Sequence, residues 1–217
     1  NGNYNVIIGQ SAAQGATTMD ASTVIGREAM GGGVPTGDYN TAIGYQTLYQ
    51  VGTGAESNTA LGHRAGYGHT TGDDNTYLGT NAGFGSTTAN SNAVVGKDAL
   101  KGSQDSSTGG QNAVIGVEAG KVTTGMRNVM LGFRAGYTAT SAQQNVYVGY
   151  EAGQKFTTGD NNVALGPKAG PSSTSTASNQ LYIHNDSGTP LIGGDFSAGT
   201  ITFNGDIDIT SAKTISA

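Results

Sequence analysis

The 217-residue chain contains no cysteine and no tryptophan, has only 4 prolines, and has a charged fraction of 12%. Without cysteine it can build neither a disulfide framework nor a zinc–thiolate site. No apolar stretch approaches the roughly 18 residues that span a bilayer, so we expect no membrane insertion. The formal net charge of −5 does not suit the basic face of a nucleic-acid-binding protein, so we expect no nucleic-acid partner.

Glycine is the residue in excess, with 37 copies, more than twice its ordinary share of about 7%. The glycines do not follow the period of three of collagen, so they indicate either disorder or a repetitive backbone. An internal repeat decides between the two, because asparagine, two variable residues, an aliphatic residue and glycine recur about every 17.4 residues. The ten copies begin at Asn5, Ser22, Asn40, Asn58, Asn75, Asn92, Asn112, Asn128, Asn145 and Asn162.

We number each copy from its first residue, position 0. Position +3 is aliphatic and position +4 is glycine in every copy, and position +7 is alanine in all but one. Short β-branched segments bounded by glycine are typical of strands, whereas a helix would lose about 1 kcal/mol at each such glycine. The pattern therefore predicts an all-β fold, a β-solenoid of about ten 17-residue coils stacked into a rod on the order of 50 Å long.

Within each strand, positions +1 and +3 share one face and position +2 lies on the other. We expect the +3 side chain to meet the +7 alanine across a thin core. The +4 glycine is expected to bend the chain with a positive φ angle. The asparagines should stack above one another as a ladder of side-chain amides.

Position +2 is then expected to point away from the core, yet it is uncharged in every copy. A solvent-facing strand position is normally polar. An apolar stripe along the rod therefore predicts an obligate homo-oligomer that buries the stripe against another copy. The expected interface residues are Ile7, Val24, Tyr77, Val94, Val114, Met130 and Tyr147.

Aromatic residues recur at positions +5 and +9. Their flat faces suit stacking on sugar rings, although packing between neighbouring chains is the more economical interpretation. The residues chosen as candidate ligand-binding positions are Tyr67, Phe84 and Tyr137. Position +6 carries mixed charged and polar residues and is expected to be solvated. Pairs of threonines in the loops suggest an ice-binding solenoid, a less favoured hypothesis because β-propensity already favours threonine.

Catalytic chemistry finds little support in the sequence. The three histidines, His63, His69 and His184, show no metal-ligand spacing with nearby acids. Aspartates that precede the motif asparagine are explained by turn formation. No carboxylate pair is singled out for glycoside hydrolysis, although a pair formed between chains stays open. We predict that the protein is not an enzyme and has no cofactor and no metal site.

The pattern changes after Gly170, which predicts a solenoid domain over 1–170 and a C-terminal β cap or connector over 171–217. Pro171–Ser178 resembles a linker in composition. Four short strands follow, and Asn204-Gly205 between TITF and DIDI is a strong hairpin signal. With neither an initial methionine nor a signal peptide, the chain is expected to be an internal or processed piece.

The series N-[TAV]-[AV]-[IVL]-G-x-x-A-G resembles the left-handed β-roll repeats in the heads of trimeric autotransporter adhesins. Together with the terminal passage NQLYIHNDSGTPLIGGDFSAGTITFNGDI, it looks still more like tail-fibre proteins of tailed bacteriophages. The resemblance implies a parallel homotrimer, intertwined or side by side, on an extracellular virion fibre. It also implies adhesion to a bacterial surface glycan or outer-membrane protein. A bacterial surface adhesin head is the alternative, and a polysaccharide-degrading tailspike is a less favoured one.

Overall fold

The computed structural model describes residues 2–102 and 109–206, and their strands form one sheet in chain order. Strands β1 to β11 pair in parallel, and β12 and β13 extend the sheet antiparallel. No helix in these two ranges is long and apolar enough to cross a membrane. The strands are β1 (Val6–Ile8), β2 (Thr23–Ile25), β3 (Thr41–Ile43), β4 (Thr59–Leu61), β5 (Thr76–Leu78), β6 (Ala93–Val95), β7 (Ala113–Ile115), β8 (Val129–Leu131), β9 (Val146–Val148), β10 (Val163–Leu165), β11 (Gln180–Ile183), β12 (Ile192–Asp195) and β13 (Thr200–Phe203).

The predicted all-β solenoid of about ten coils is confirmed, and each coil places one strand at positions +1 to +3. Equivalent positions pair in register from coil to coil, as in Thr41 with Thr59. The +4 glycines have φ angles between 113° and 143°, which confirms the predicted bend. The next coil also passes very close, because a Cβ added at Gly132 would lie 2.3 Å from the carbonyl oxygen of Gly149.

Two further corners of every coil use left-handed backbone at residues other than glycine. Position +6 has φ between 52° and 58° in all ten coils, and position −1 has φ between 48° and 64°. Such a conformation costs an L-residue roughly 1–2 kcal/mol, so the stacked coils must hold these corners in place. The polar character of position +6 therefore accompanies a backbone requirement that the residue types alone do not reveal.

The core lies under the +2 side chains, which reverses the predicted orientation of the strands. Val24, Tyr77, Val94, Val114, Met130 and Tyr147 are fully buried within a single chain, and of the predicted interface set only Ile7, in the first coil, is exposed. The expectation that these six side chains contact another copy is therefore wrong. A side chain with no accessible surface in one chain cannot contact a second chain.

The thin core is filled by pairing large and small residues at positions +2 and +8. A Cβ at Gly83 would lie 2.2 Å from the Tyr77 ring, and one at Gly153 would lie 2.4 Å from the Tyr147 ring. Where position +2 is only alanine or valine, position +8 can instead supply a fully buried large residue, as Met30, Leu48 and Leu100 do. Because interiors are close-packed, a tyrosine ring at position +2 leaves room only for glycine at position +8 of the same coil.

The asparagine ladder is confirmed. The Asn128 side-chain oxygen accepts hydrogen bonds from the backbone N–H of Asn145 at 3.0 Å and from its side-chain amide at 3.1 Å. The Asn128 amide nitrogen donates to the carbonyl oxygen of Ala142 at 2.9 Å. In the second coil Ser22 substitutes, and its hydroxyl accepts the backbone N–H of Asn40 at 3.0 Å. The ladder satisfies buried polar groups that would otherwise be costly.

The stretch after Gly170 completes the tenth coil, so its interpretation as a linker is wrong. Thr157 donates its backbone N–H to Ser175, and Asn179 donates to Asp160. Strand β11 then pairs with β10 as the next parallel strand, and Tyr182 makes an edge contact with Phe156 at 5.8 Å. The second strand expected at Asn204-Gly205 lies largely beyond residue 206, outside the described residues. The division into a solenoid domain over 1–170 and a C-terminal β cap or connector over 171–217 stays a prediction.

Candidate functional surfaces

The most extensive surface feature is the outward face of the solenoid sheet, formed by positions +1 and +3. All twenty side chains on it are threonine, alanine or aliphatic, and none is charged. Ile8, Leu61, Leu78 and Ile115 are between 41% and 58% exposed. The face is formed by Val6, Ile8, Thr23, Ile25, Thr41, Ile43, Thr59, Leu61, Thr76, Leu78, Ala93, Val95, Ala113, Ile115, Val129, Leu131, Val146, Val148, Val163 and Leu165.

The composition of this outward face changes along the rod. Position +1 is valine in β1, threonine in β2 to β5, alanine in β6 and β7, and valine in β8 to β10. Position +3 remains isoleucine, leucine or valine throughout. The face therefore carries hydroxyl groups between β2 and β5 and is wholly apolar between β8 and β10, so its two halves differ in polarity.

The two borders of the outward face differ in charge. The border that precedes each strand, positions −2 and −1, has one arginine, Arg127, against six acids: Asp20, Asp38, Glu56, Asp73, Asp74 and Asp160. The border that follows each strand, positions +5 and +6, has the acids Glu28, Asp98, Glu118 and Glu151 and the bases Arg27, Arg64, Lys97, Arg134 and Lys168. One border is thus strongly acidic and the other is mixed with a slight basic excess.

Ion pairs and hydrogen bonds organise the mixed border. Glu118 contacts Lys121 at 2.5 Å and Arg134 at 2.6 Å. Hydrogen bonds from Lys121 and then from Arg134 lower the pKa of the Glu118 carboxyl. The solvated column predicted at position +6 is therefore internally paired in this region.

The aromatic column at position +9 is a continuous stack. The ring of Tyr67 lies 5.0 Å from that of Tyr49 on one side and 5.0 Å from that of Phe84 on the other, with interplanar angles of 11° and 8°. The guanidinium of Arg64 also lies 5.5 Å from the Tyr67 ring centroid. Both faces of Tyr67 are therefore covered by neighbouring rings, so a sugar ring cannot stack directly on it.

The third candidate ligand-binding residue, Tyr137, lies apart from this stack. Its ring is approached by Arg134 at 5.2 Å and by Lys121 at 5.6 Å. The structure therefore brings Tyr67 and Phe84 together but does not join Tyr137 to them. Ligand binding at these three residues stays a prediction. Both of these cations are also paired with Glu118.

Hydrogen bonds engage His69 and threonine hydroxyls at position +12 in the described part of the chain. His69 is buried, with its ring nitrogens 3.0 Å from the carbonyl oxygen of Ser86 and 2.7 Å from that of Gly72. Threonine hydroxyls at position +12 donate to carbonyl oxygens of the next coil, as Thr140 does to Thr157 at 3.2 Å. Within residues 2–102 and 109–206 no group of three potential metal ligands occurs.

Searches against protein-family models, curated proteins and solved structures found no match to this chain. The surfaces must therefore be interpreted from their own chemistry. The main surface missed at the sequence level is the outward +1/+3 face. The signal that could have found it is the size exchange between positions +2 and +8, which marks position +2 as the filled side.

Proposed function

We propose that the chain is a non-enzymatic structural and host-receptor-binding segment of a phage tail fibre, which works as a homotrimer of left-handed β-rolls. The observation that carries this proposal is the uncharged outward face that runs the length of the stacked coils. A rigid rod whose long side is apolar is suited to bundling with copies of itself, as a fibre requires.

The size of the outward face supports self-association. A three-residue strand is about 10 Å wide and neighbouring strands lie about 4.8 Å apart, so ten strands present on the order of 450 Å² of flat area. The borders at positions +5 and +6 add to this value. The flat area alone is about half of the roughly 800 Å² that each partner contributes to a typical stable interface. A copy of the same chain also matches the spacing of the strands from end to end.

The charge of the borders supports parallel copies. In a parallel bundle of three rods whose outward faces point to the common axis, the border before the strands of one rod adjoins the border after the strands of the next. The acidic border then faces the mixed border of the neighbour, whose five bases outnumber its four acids. In an antiparallel pair the acidic borders would meet each other, which is unfavourable. The change from threonine to valine along position +1 also matches like with like only in parallel copies.

The receptor-binding part of the proposal concerns the sides that a trimer leaves open. Position +9 lies several residues beyond the outward face and carries Tyr49, Tyr67 and Phe84, with Tyr137 further along the rod. Aromatic and cationic side chains together suit bacterial surface glycans. An outer-membrane protein is the other receptor class that such a surface can bind. The fibre would then work outside the cell, on the virion.

Analytical ultracentrifugation of the purified chain tests the assembly. We expect a trimer, and we expect Ile115→Asp to shift it towards monomer because a carboxylate would be buried in the bundle. The matched control is Val122→Asp, since Val122 is also exposed but lies outside the outward face. A folded, monomeric wild-type chain at micromolar concentration would contradict the proposal.

Binding of the fluorescently labelled trimer to a panel of bacterial strains, and to arrays of their surface glycans, tests the receptor function. We expect retention on at least one strain and no release of reducing ends from its polysaccharide. Retention accompanied by release of reducing ends would favour a tailspike. If the trimer binds none of the strains, its function is that of a fibre shaft without a receptor-binding role.

A further inference from the structure

The outward face does not stop at the last coil. Val163 and Leu165 of β10 pair with Leu181 and Ile183 of β11. Through the antiparallel register, Ile183 lies opposite Ile192, which lies opposite Phe203. Leu181 connects in the same way through Gly194 to Ile201. Directly paired residues point to the same side of a sheet, so this side continues as Leu181, Ile183, Ile192, Gly194, Ile201 and Phe203, without a charge.

The hairpin of β12 and β13 differs from the coils because it has no core of its own. On its inner side the strand centres carry only Gly193 and Thr202, while the apolar side chains lie on the outward side. Every residue of β13 is exposed, with Ile201 at 64% and Phe203 at 52%. Strand β12 joins the hairpin to the sheet through β11, but β13 pairs only with β12 and all four of its residues are exposed. Its apolar side therefore needs a covering surface.

The shape of this side fits inserted side chains. Gly194 carries no side chain between Leu181 and Ile201, and a Cβ there would lie 2.5 Å from the carbonyl oxygen of Thr200, so β13 approaches β12 closely at this point. A pocket of about 230 Å³ lies beside Ile192 and Phe203 and is also lined by Asp206. The pocket beside the exposed isoleucine and phenylalanine side chains can accept an apolar side chain from the same hairpin of a second copy.

We infer that the β12–β13 hairpin packs its outward side against the same hairpins of neighbouring copies, so that the C-terminal sheet acquires its core only in the assembly. This inference rests on the proposed self-association. The occupant is a second copy because the hairpin surface is continuous with the face that the coils present. Parallel copies bring identical hairpins to the same height, where their uncharged sides meet.

Cysteine cross-linking tests the contact directly, since the natural chain has no cysteine and a single substitution is unique. Phe203→Cys, treated with a short bismaleimide, is expected to give covalent dimers on a denaturing gel. Thr202→Cys is the matched control on the opposite side of the same strand and is expected to remain monomeric. Efficient linking from both positions, or from Thr202→Cys alone, would overturn the assignment of the contact to the outward side.

A second pair of variants measures whether the contact contributes to assembly. Ile201→Asp is expected to weaken association in sedimentation at least tenfold and to increase proteolysis after residue 190. Thr202→Asp, one residue away, is expected to change neither property. Trimers in which Phe203→Cys gives no dimers, or in which Ile201→Asp associates like the wild type, would overturn this inference alone. A monomeric wild-type chain would overturn both this inference and the proposed assembly.

Discussion

The two sides of strand β5 differ in burial, and the same difference recurs along the solenoid. Tyr77 points inward and is fully buried, whereas its neighbour Leu78 points outward and is 41% exposed. Inward residues vary in size from alanine to tyrosine, and in several coils position +8 varies in the opposite sense. Outward residues at position +3 are always isoleucine, leucine or valine. A nearly constant height is what a flat face requires if it is to meet another flat face.

This difference separates the stability of one chain from its association. The inner side is closed within each coil by side chains of the same and adjacent coils, as the contacts of Tyr77 with Gly66 and Gly83 show. The outer side of the coils is a repeated, uncharged surface. Substitutions on the inner side should therefore change unfolding at every protein concentration, and substitutions on the outer side should act mainly through assembly.

The largest effect is expected where both sides depend on the same backbone. Gly132→Ala places a Cβ 2.3 Å from the carbonyl oxygen of Gly149 at a φ angle of 136°. Neither coil can move without breaking the pairing of the sheet, so we expect a loss of about 5 kcal/mol or more in the free energy of unfolding. Urea denaturation followed by circular dichroism measures this loss.

The control for that substitution is Gly54→Ala. Gly54 also has a positive φ angle, 80°, but a Cβ there meets nothing within 4 Å. Only the conformational cost of about 1–2 kcal/mol should then appear. Equal losses at the two positions would show that coil-to-coil contact at position +4 is not what requires glycine.

The second prediction compares the loss in the free energy of unfolding for substitutions on the two sides of one strand. Tyr77→Ala removes a fully buried ring and should cost about 3–5 kcal/mol in unfolding. Leu78→Ala should cost less than about 1 kcal/mol in a dilute, dissociated chain, because much of the side chain is already in water. Urea denaturation at several protein concentrations checks both. A Leu78→Ala effect that is large and independent of concentration would contradict the division.

The third prediction concerns the polar part of the interior. Asn128→Ala leaves the backbone N–H and the side-chain amide of Asn145 without their shared acceptor, so we expect a loss of about 2–3 kcal/mol in thermal unfolding. Asn128→Ser should lose less, because the Ser22 hydroxyl already accepts the equivalent N–H in the second coil. Equal losses for the two variants would argue against the ladder as the source of stability.

The sequence predicts the coil but not which side of it is filled. The repeat fixes the strand at +1 to +3, the bend at the glycine and the asparagine ladder, since each depends on a recurring residue type. Orientation is harder, because shifting the inward position by one residue exchanges the faces. Here both +2 and +3 are apolar, so hydrophobicity alone does not choose between Tyr77 and Leu78. The hydrogen bonds that incorporate Pro171–Ser178 into the tenth coil are also invisible in its linker-like composition.

The smallest expected effect is the titration of His69 inside the core. Burial lowers the pKa of His69 below its ordinary value, and this outweighs the opposite influence of the Gly72 and Ser86 carbonyl oxygens and of Asp73. The edge of the Tyr77 ring packs against it at 5.8 Å and brings no charge. Because the folded state favours the neutral ring, the unfolded state binds the proton more readily. Stability should therefore fall as the pH drops through about 6.5.

Thermal unfolding between pH 7.5 and 5 measures this dependence. Glu118 should not contribute in this window, since hydrogen bonds lower the pKa of its carboxyl and its contribution is lost only at more acidic pH. The variant His69→Gln cannot titrate and should unfold at nearly the same temperature across the window. His63→Gln, a change at an exposed histidine, should retain the dependence of the parent chain. A pH dependence that survives in His69→Gln would place its origin outside the core.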